Sequence, residues 1–483
     1  MLIASPPPPP PPPAPVIAEV LYVEDGNSGD ELGRSSAVRG PFIVGGRWLA
    51  DPNGQTNAGA ARIWRIAADG SIVAEGEVVA PDAAPHDEMG VSVGVTPAIG
   101  DECAFGDPDD PATWPRLIAG AWRADLPGKS NAGAAYVFRR DPATASWEFE
   151  AKLVASDSAT NSEFGRGVAI VGDRAIVGAW KHQGSRGALY AFRREGTTWI
   201  EEAKLLAGDG TFGDGLGVAV AFDGDRAIGG AWAKNNGANT NQGAAYVFRR
   251  TGASWTQEAK LVAADGAAHD EFGRGVAIDD ATVVVGTWPF WTDGPGAAYA
   301  FTRSGTTWTQ QAKLTHPDAE PNDYFGFSVG VSGDVAIVGA WADNVGANNN
   351  QGSAHVFRRD DGNGPTGTWS HWTELVREDG QPSAYFGFSV AIDRAVAVVG
   401  SRLENVGANT NQGSVTVVCV DVESCGNCID TASPADLNGD GTVDGADLGI
   451  LLASWGSRGP GDLNGDGVVD GADLGLLLAA WSE

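Results

Sequence analysis

Two stretches near the C-terminus space oxygen-bearing side chains as a bound cation requires. Asp436, Asn438, Asp440, Asp444 and Asp447 stand at positions 1, 3, 5, 9 and 12 of one loop. Asp462, Asn464, Asp466, Asp470 and Asp473 repeat the set 26 residues later. Gly441 and Gly467 occupy position 6, where the chain must turn sharply, and Thr442 and Val468 occupy position 7, which supplies a backbone carbonyl. Four carboxylates in so short a loop repel one another until a cation neutralises them. An oxygen-only donor set of this size suits calcium, so two Ca²⁺ ions are expected. A solvated acidic turn is the plainer reading, and the duplication argues against it.

Each loop leads into an apolar helical stripe. Leu448, Leu451, Leu452 and Trp455 follow i, i+3, i+4, i+7 spacing, and Leu474, Leu477, Leu478 and Trp481 repeat it. A unit of about 50 residues buries little surface, so metal binding is expected to supply part of its folding energy. A loop and a helix, duplicated and lacking the incoming helix of a full EF-hand, resemble a type I dockerin. That resemblance implies a cohesin-type partner. It also implies that loop positions 10 and 11, here Gly445-Ala446 and Gly471-Ala472, help to select that partner.

The rest of the chain is repetitive, and the repeats must position whatever else does chemistry. Four landmarks recur in fixed order. The first is an acidic or aromatic residue before Phe-Gly, as in Glu163-Phe164-Gly165, with its Gly at 33, 90, 165, 217, 273, 326 and 387. The second is Ala175-Ile176-Val177-Gly178-Ala179-Trp180 and its copies. The third is Gly-Ala-Ala-Tyr-Val-Phe from Gly133 and Gly243, and the fourth is Trp-x-x-Glu-Ala-Lys-Leu at Trp147, Trp199 and Trp255. Each unit holds four short segments of β-branched and aromatic residues separated by Gly, Asn and Asp. Segments apolar on both faces must be covered on both sides. Seven four-stranded sheets packed in a ring meet that demand, so the fold class is all-β, a seven-bladed β-propeller with a small α-helical calcium-binding domain at its C-terminus. Residues 16–23 precede the first landmark with no unit of their own, and the last unit lacks its fourth segment. The N-terminal strand is therefore expected to complete the last blade.

Phe164-Gly165 with Gly178-Ala179, and Phe325-Gly326 with Gly339-Ala340, resemble the FG-GAP repeat of integrin-type propellers. The likeness spans about 400 residues. Two features depart from it. Trp replaces proline after Gly-Ala at 122, 180, 232 and 341, and the Asp-rich calcium loop between the first two strands is reduced to Gly172-Asp173-Arg174 or Asp225-Arg226. Such hairpins hold too few oxygens for calcium, and none is expected in the propeller.

One face of the ring gathers Trp48, Trp122, Trp180, Trp232, Trp288 and Trp341, with Asn-rich loops and paired aspartates such as Asp209/Asp214 and Asp265/Asp270 beside them. Aromatics with amides and carboxylates suit sugar binding, so these Trp are a candidate ligand rim. The plainer reading is that each Trp wedges between blades and the Asx residues satisfy turns. No catalytic residue stands out. There is no nucleophile elbow and no His-Glu-x-x-His helix, and His86 and His269 occupy equivalent positions, which points to a turn. Carboxylate pairs recur around the ring, so none is singled out as a glycosidase couple. The expected function is binding or display, not catalysis. A polysaccharide-degrading propeller enzyme carried by the same tail is the alternative.

Composition narrows the partners. The chain has 483 residues, with 32 basic against 62 acidic and a net charge of -30. That argues against nucleic acid as a partner and against docking on an anionic membrane. No apolar run is long enough to span a bilayer. The expected state is a monomer, extracellular or at a cell surface, though residues 1–5 lack the charge and length of a secretory leader. Residues 6–13 are unbroken proline, a spacer about 25 Å long at roughly 3.1 Å per residue. The expected domains are a Pro-rich segment (1–15), a propeller (16–420), a Cys-containing linker (421–434) and the dockerin-like unit (435–483). Cys103, Cys419, Cys425 and Cys428 allow three disulfide pairings, and a lone Cys-x-x-Cys is a weak zinc signal.

Overall fold

The computed structural model describes residues 15–67, 70–97, 113–360 and 367–420, and in the tail 437, 443, 445–456, 461, 468–479 and 481. The Pro-rich segment, Cys103, Cys425, Cys428 and the loop residues Asp436, Asn438, Asp440, Thr442, Asp444, Asp462, Asn464 and Asp466 lie outside the described residues. The chain divides into two compact units.

The first unit is seven antiparallel four-stranded sheets. In the third blade the strands are Phe164–Val171, Arg174–Ala179, Leu189–Glu195 and Thr198–Leu205, paired in chain order. The expected closure is present. Val16–Leu21 pairs antiparallel with Ser414–Cys419 and forms the outer strand of the seventh sheet.

The landmarks explain the ring. The central strands alternate toward two neighbouring blades, so Ile176 and Val177, adjacent in sequence, sit in different hydrophobic clusters. The glycines set the distance between blades. A methyl on Gly178 would fall onto the carbonyl of Gly217 in the next blade, and the same contact recurs at every junction, closing with Gly400 against Gly33. The Gly of the third landmark forms a second junction, as in the parallel bridge of Gly133 to Phe164. The Phe-Gly and Gly-Ala signatures are thus two sides of one interface. Blade 5 departs locally. Its inner strand, Val276–Asp279, has four residues where each of the other six has eight.

In the C-terminal unit the described residues show two nine-residue helices, Gly445–Ala453 and Gly471–Ala479. Leu451 and Leu477 are buried with Val443 and Val469, and Leu437, Leu448 and Leu474 pack beside them. The expected four-residue stripes are only half buried. Leu452, Trp455, Leu478 and Trp481 are exposed, because two helices this short meet along a single seam.

Candidate functional site

The innermost strand of each blade begins at the Phe-Gly end, and its hairpin lies at the other end. Phe164 pairs with Ala179, so Trp180 emerges at the Phe-Gly end as well. The six rim tryptophans therefore share one face of the ring, and all are half-buried. Arg402 takes the seventh place.

These indoles fall into two groups. Trp48, Trp122 and Trp180 donate Nε1–H to Glu31 (2.9 Å), Glu88 (2.6 Å) and Glu163 (2.7 Å). The same carboxylates hold Arg402, Arg123 and Lys181 at 2.7, 2.8 and 2.6 Å. In the next three blades the landmark residue is Gly215, Glu271 or Tyr324, and the buried Nε1 atoms of Trp232, Trp288 and Trp341 have no hydrogen-bond partner. Glu271 is 1% exposed, and neither of its oxygens has a well-formed partner. Burial pushes its carboxyl up to about 7, against the pull of Arg274. The ring faces are occupied. Trp341 stacks on Tyr324 at 4.9 Å and meets Tyr385 at 4.7 Å, and Trp180 leans on Trp232 at 6.3 Å.

The Asp and Asn residues of this face serve the fold. Asp82, Asp157 and Asp209 each accept a Tyr hydroxyl and a Lys ammonium, as Asp209 does from Tyr246 (2.6 Å) and Lys260 (2.7 Å). Asp30, Asp87, Asp214, Asp270 and Asp323 each accept the backbone N–H three residues before them. Asn235 and Asn344 cap their own turns. His86 and His269 share a left-handed backbone (φ 70° and 67°), as a turn role requires.

Sequence reasoning missed what lies at the axis. The residue after each landmark Gly lines a central cavity of about 230 Å³: Arg34, Val91, Arg166, Val218, Arg274, Phe327 and Phe388. Serines 35, 36, 92, 328 and 389 line it further in. Arg34 lies over Trp48 (5.2 Å) and Phe388 (5.0 Å), Arg166 over Trp122 (5.5 Å), and Arg274 over Trp232 (5.1 Å) and Trp288 (4.2 Å). Burial, Arg166 and Arg402 hold Arg34 well below its ordinary value, and burial with Arg166 nearby brings Arg274 down to about 9. Arg alternating with Val after the landmark Gly was the available signal.

Blade 6 holds a second departure. Tyr299 and Lys313 of blade 5 become His355 and Glu374, the Asp is kept (Asp265, Asp318), and His316 replaces Ala263. His316, Asp343, His355 and Glu374 bring their ligand atoms within 4.8 Å of one another. Asp318 N–H donates to His316 Nδ1 at 3.0 Å, which places the imidazole proton on Nε2, 3.4 Å from Asp343. A metal at Nε2 would need that proton removed, so the arrangement is read as a hydrogen-bonded cluster. Burial, His316 and His371 keep His355 neutral, well below the ordinary histidine value.

At the tail, Asp447 and Asp473, both at loop position 12, are fully buried in the first turns of the helices. Asp470 N–H donates to Asp473 at 2.8 Å. Gly445, Gly471 and Ala472 are exposed, as is Val468. Cys419 stands on the third strand of the seventh blade.

The fold and this face define a seven-bladed propeller with a donor-rich axial mouth. The FG-GAP repeat model matches residues 147–192, 199–248, 255–301, 308–357 and 369–418, about half of the chain. The chain belongs to the FG-GAP repeat family. Each match starts on an outer strand and ends on the third strand of the next blade, and this offset between sequence unit and blade is what the N-terminal strand resolves. No curated protein matches the chain.

Proposed function

We propose that this chain is an extracellular or cell-surface binding protein whose propeller takes its ligand at the axial face. One observation carries the reading. Three arginines without an ion-pair partner line a cavity whose described lining contains no carboxylate. A site of donors suits an acceptor-rich ligand such as a glycan. A polysaccharide-degrading enzyme is the alternative. It would need a carboxylate pair facing the bound chain, which the described cavity lining does not offer. Because the faces of Trp341 and Trp180 are covered, the rim serves chiefly through Trp48, Trp122, Trp232 and Trp288, which hold the arginines in place.

The tail serves as the anchor in this proposal, a dockerin-like unit that folds with two Ca²⁺ ions and docks on a cohesin-type partner. Asp447 and Asp473 fit such an ion. Each is a buried carboxylate at the position that offers two oxygens. Asp436, Asn438, Asp440, Asp444 and the Thr442 carbonyl would complete the first site, and Asp462, Asn464, Asp466, Asp470 and the Val468 carbonyl the second. Calcium would neutralise the loop charge. The exposed Gly445, Gly471 and Ala472, with Ala446 as their counterpart, and the exposed Leu452, Trp455, Leu478 and Trp481 offer the partner a surface. A glycan array read for retention, with a polysaccharide screen read for new reducing ends, tests the binding reading. Retention without cleavage supports it, and cleavage transfers the argument to the enzyme.

A further inference from the structure

The axial arginines are placed in a way that cation–aromatic stacking alone does not explain. All seven blades present the residue after the landmark Gly to the same cavity, and three of these are Arg. Among the described residues no carboxylate lies in ion-pair range of Arg34, Arg166 or Arg274, and their guanidiniums donate no hydrogen bond. Near Arg34 and Arg166 the acids are committed elsewhere, Glu31 to Trp48 and Arg402, Glu88 to Trp122 and Arg123, and Glu163 to Trp180 and Lys181, while Glu271 pulls on Arg274 from outside hydrogen-bonding range, and burial favours its neutral form. In a chain of net charge -30, three like charges crowded at one point oppose folding unless something offsets them. The aromatic rings hold the guanidiniums at the cavity wall, and a guanidinium's in-plane N–H fork is the group that recognises a planar or tetrahedral oxyanion. The serines that line the cavity add hydroxyls.

We propose that the axial cavity is an oxyanion site, taking the carboxylate or sulfate group of an acidic saccharide between Arg34, Arg166 and Arg274. This deepens the binding reading above and rests on it. The cavity accepts one charged group at a time, so it reads a chain end or a side branch, while the outer rim meets the rest of the ligand.

The test uses the full chain at constant ionic strength, titrated with sodium glucuronate, sodium sulfate and glucose as the neutral control. Trp fluorescence is the readout, because each guanidinium lies over an indole. A saturable response to at least one oxyanion and none to glucose is expected. Glucuronate alone identifies a carboxylate ligand, and sulfate alone a sulfate ester. In R166Q the affinity should fall roughly tenfold or more, as for loss of a charge-assisted hydrogen bond. R274K keeps the charge but loses the fork, and should fall by less. R166Q should not melt lower than the parent without anion, since less like charge is crowded there. Silence toward both oxyanions overturns the proposal, as does an undiminished response in both variants. A variant that melts lower yet keeps the full response also overturns it, because the arginine is then only a structural stack. A neutral glycan retained on the array while both oxyanions stay silent would sink the oxyanion site and leave the binding module standing. An oxyanion response with no glycan retained would do the reverse.

Discussion

Replacing Glu271 with Gln should stabilise the protein, and the gain should depend on pH. In blades 1 to 3 the equivalent glutamate is satisfied by an indole and a cation. Glu271 is buried without a well-formed partner, and its carboxyl rises from 4.5 to about 7. A carboxyl whose folded pKa lies above its unfolded value favours the fold when protonated. Its contribution is intact below about pH 4.5 and is lost as pH rises through about 7. Each pKa unit is worth about 1.4 kcal/mol, so the ionised group costs the fold roughly 3 kcal/mol at pH 8 and less than about 1 kcal/mol at pH 5. E271Q removes that cost. Urea midpoints of parent and variant at pH 5, 6, 7 and 8 would show it, because the other titrating groups cancel in the difference. A gain that does not grow with pH, or a loss at pH 8, refutes the reasoning.

Three further outcomes follow from the architecture. Deleting residues 1–23 removes the outer strand of blade 7 and leaves an unpaired edge. Its melting temperature should fall well below that of a 1–14 deletion, whose stability should match the parent, and equal values for the two would remove the clasp. G339A drives a methyl into the Gly387 carbonyl of the next blade and should cost roughly 3 kcal/mol in urea denaturation, as overpacking does; a cost near zero would show that the junction can relax. The full chain should take up two Ca²⁺ in calorimetry, D447A should weaken one site most, and Mg²⁺ should substitute poorly; no uptake at millimolar calcium would remove the anchor.

The architecture was legible because the constraint that builds it is repeated. Gly165 and Gly178 recur at fixed places since each junction allows no Cβ, and the stray strand at residues 16–21 followed from counting segments. The Trp rim was legible as a face, but not the state of its rings. Which side of an indole is covered depends on neighbours from adjacent blades, such as Tyr385 against Trp341, far apart in sequence. Arg34, Arg166 and Arg274 are separated by more than a hundred residues and meet only because the ring closes. Their alternation with Val was in the sequence, but attention to what repeats hides what alternates. The blade 6 histidines were missed for the same reason, being departures from Tyr299 and Lys313 of the preceding unit. In the tail, periodicity marked the apolar stripe correctly but could not tell that only Leu451 and Leu477 would be fully buried.

The central claim is that ligand enters at the Phe-Gly end of the axis. Hydrogen–deuterium exchange on the full chain, with and without a glycan retained on the array, tests it most directly. Protection should concentrate at residues 31–36, 163–168 and 271–276, where the inner strands meet the cavity. The hairpins at 39–42, 171–174 and 279–282, at the opposite end of the same strands, should be unchanged. Protection at those hairpins or along the outer strands, with none at the arginine positions, would contradict the account.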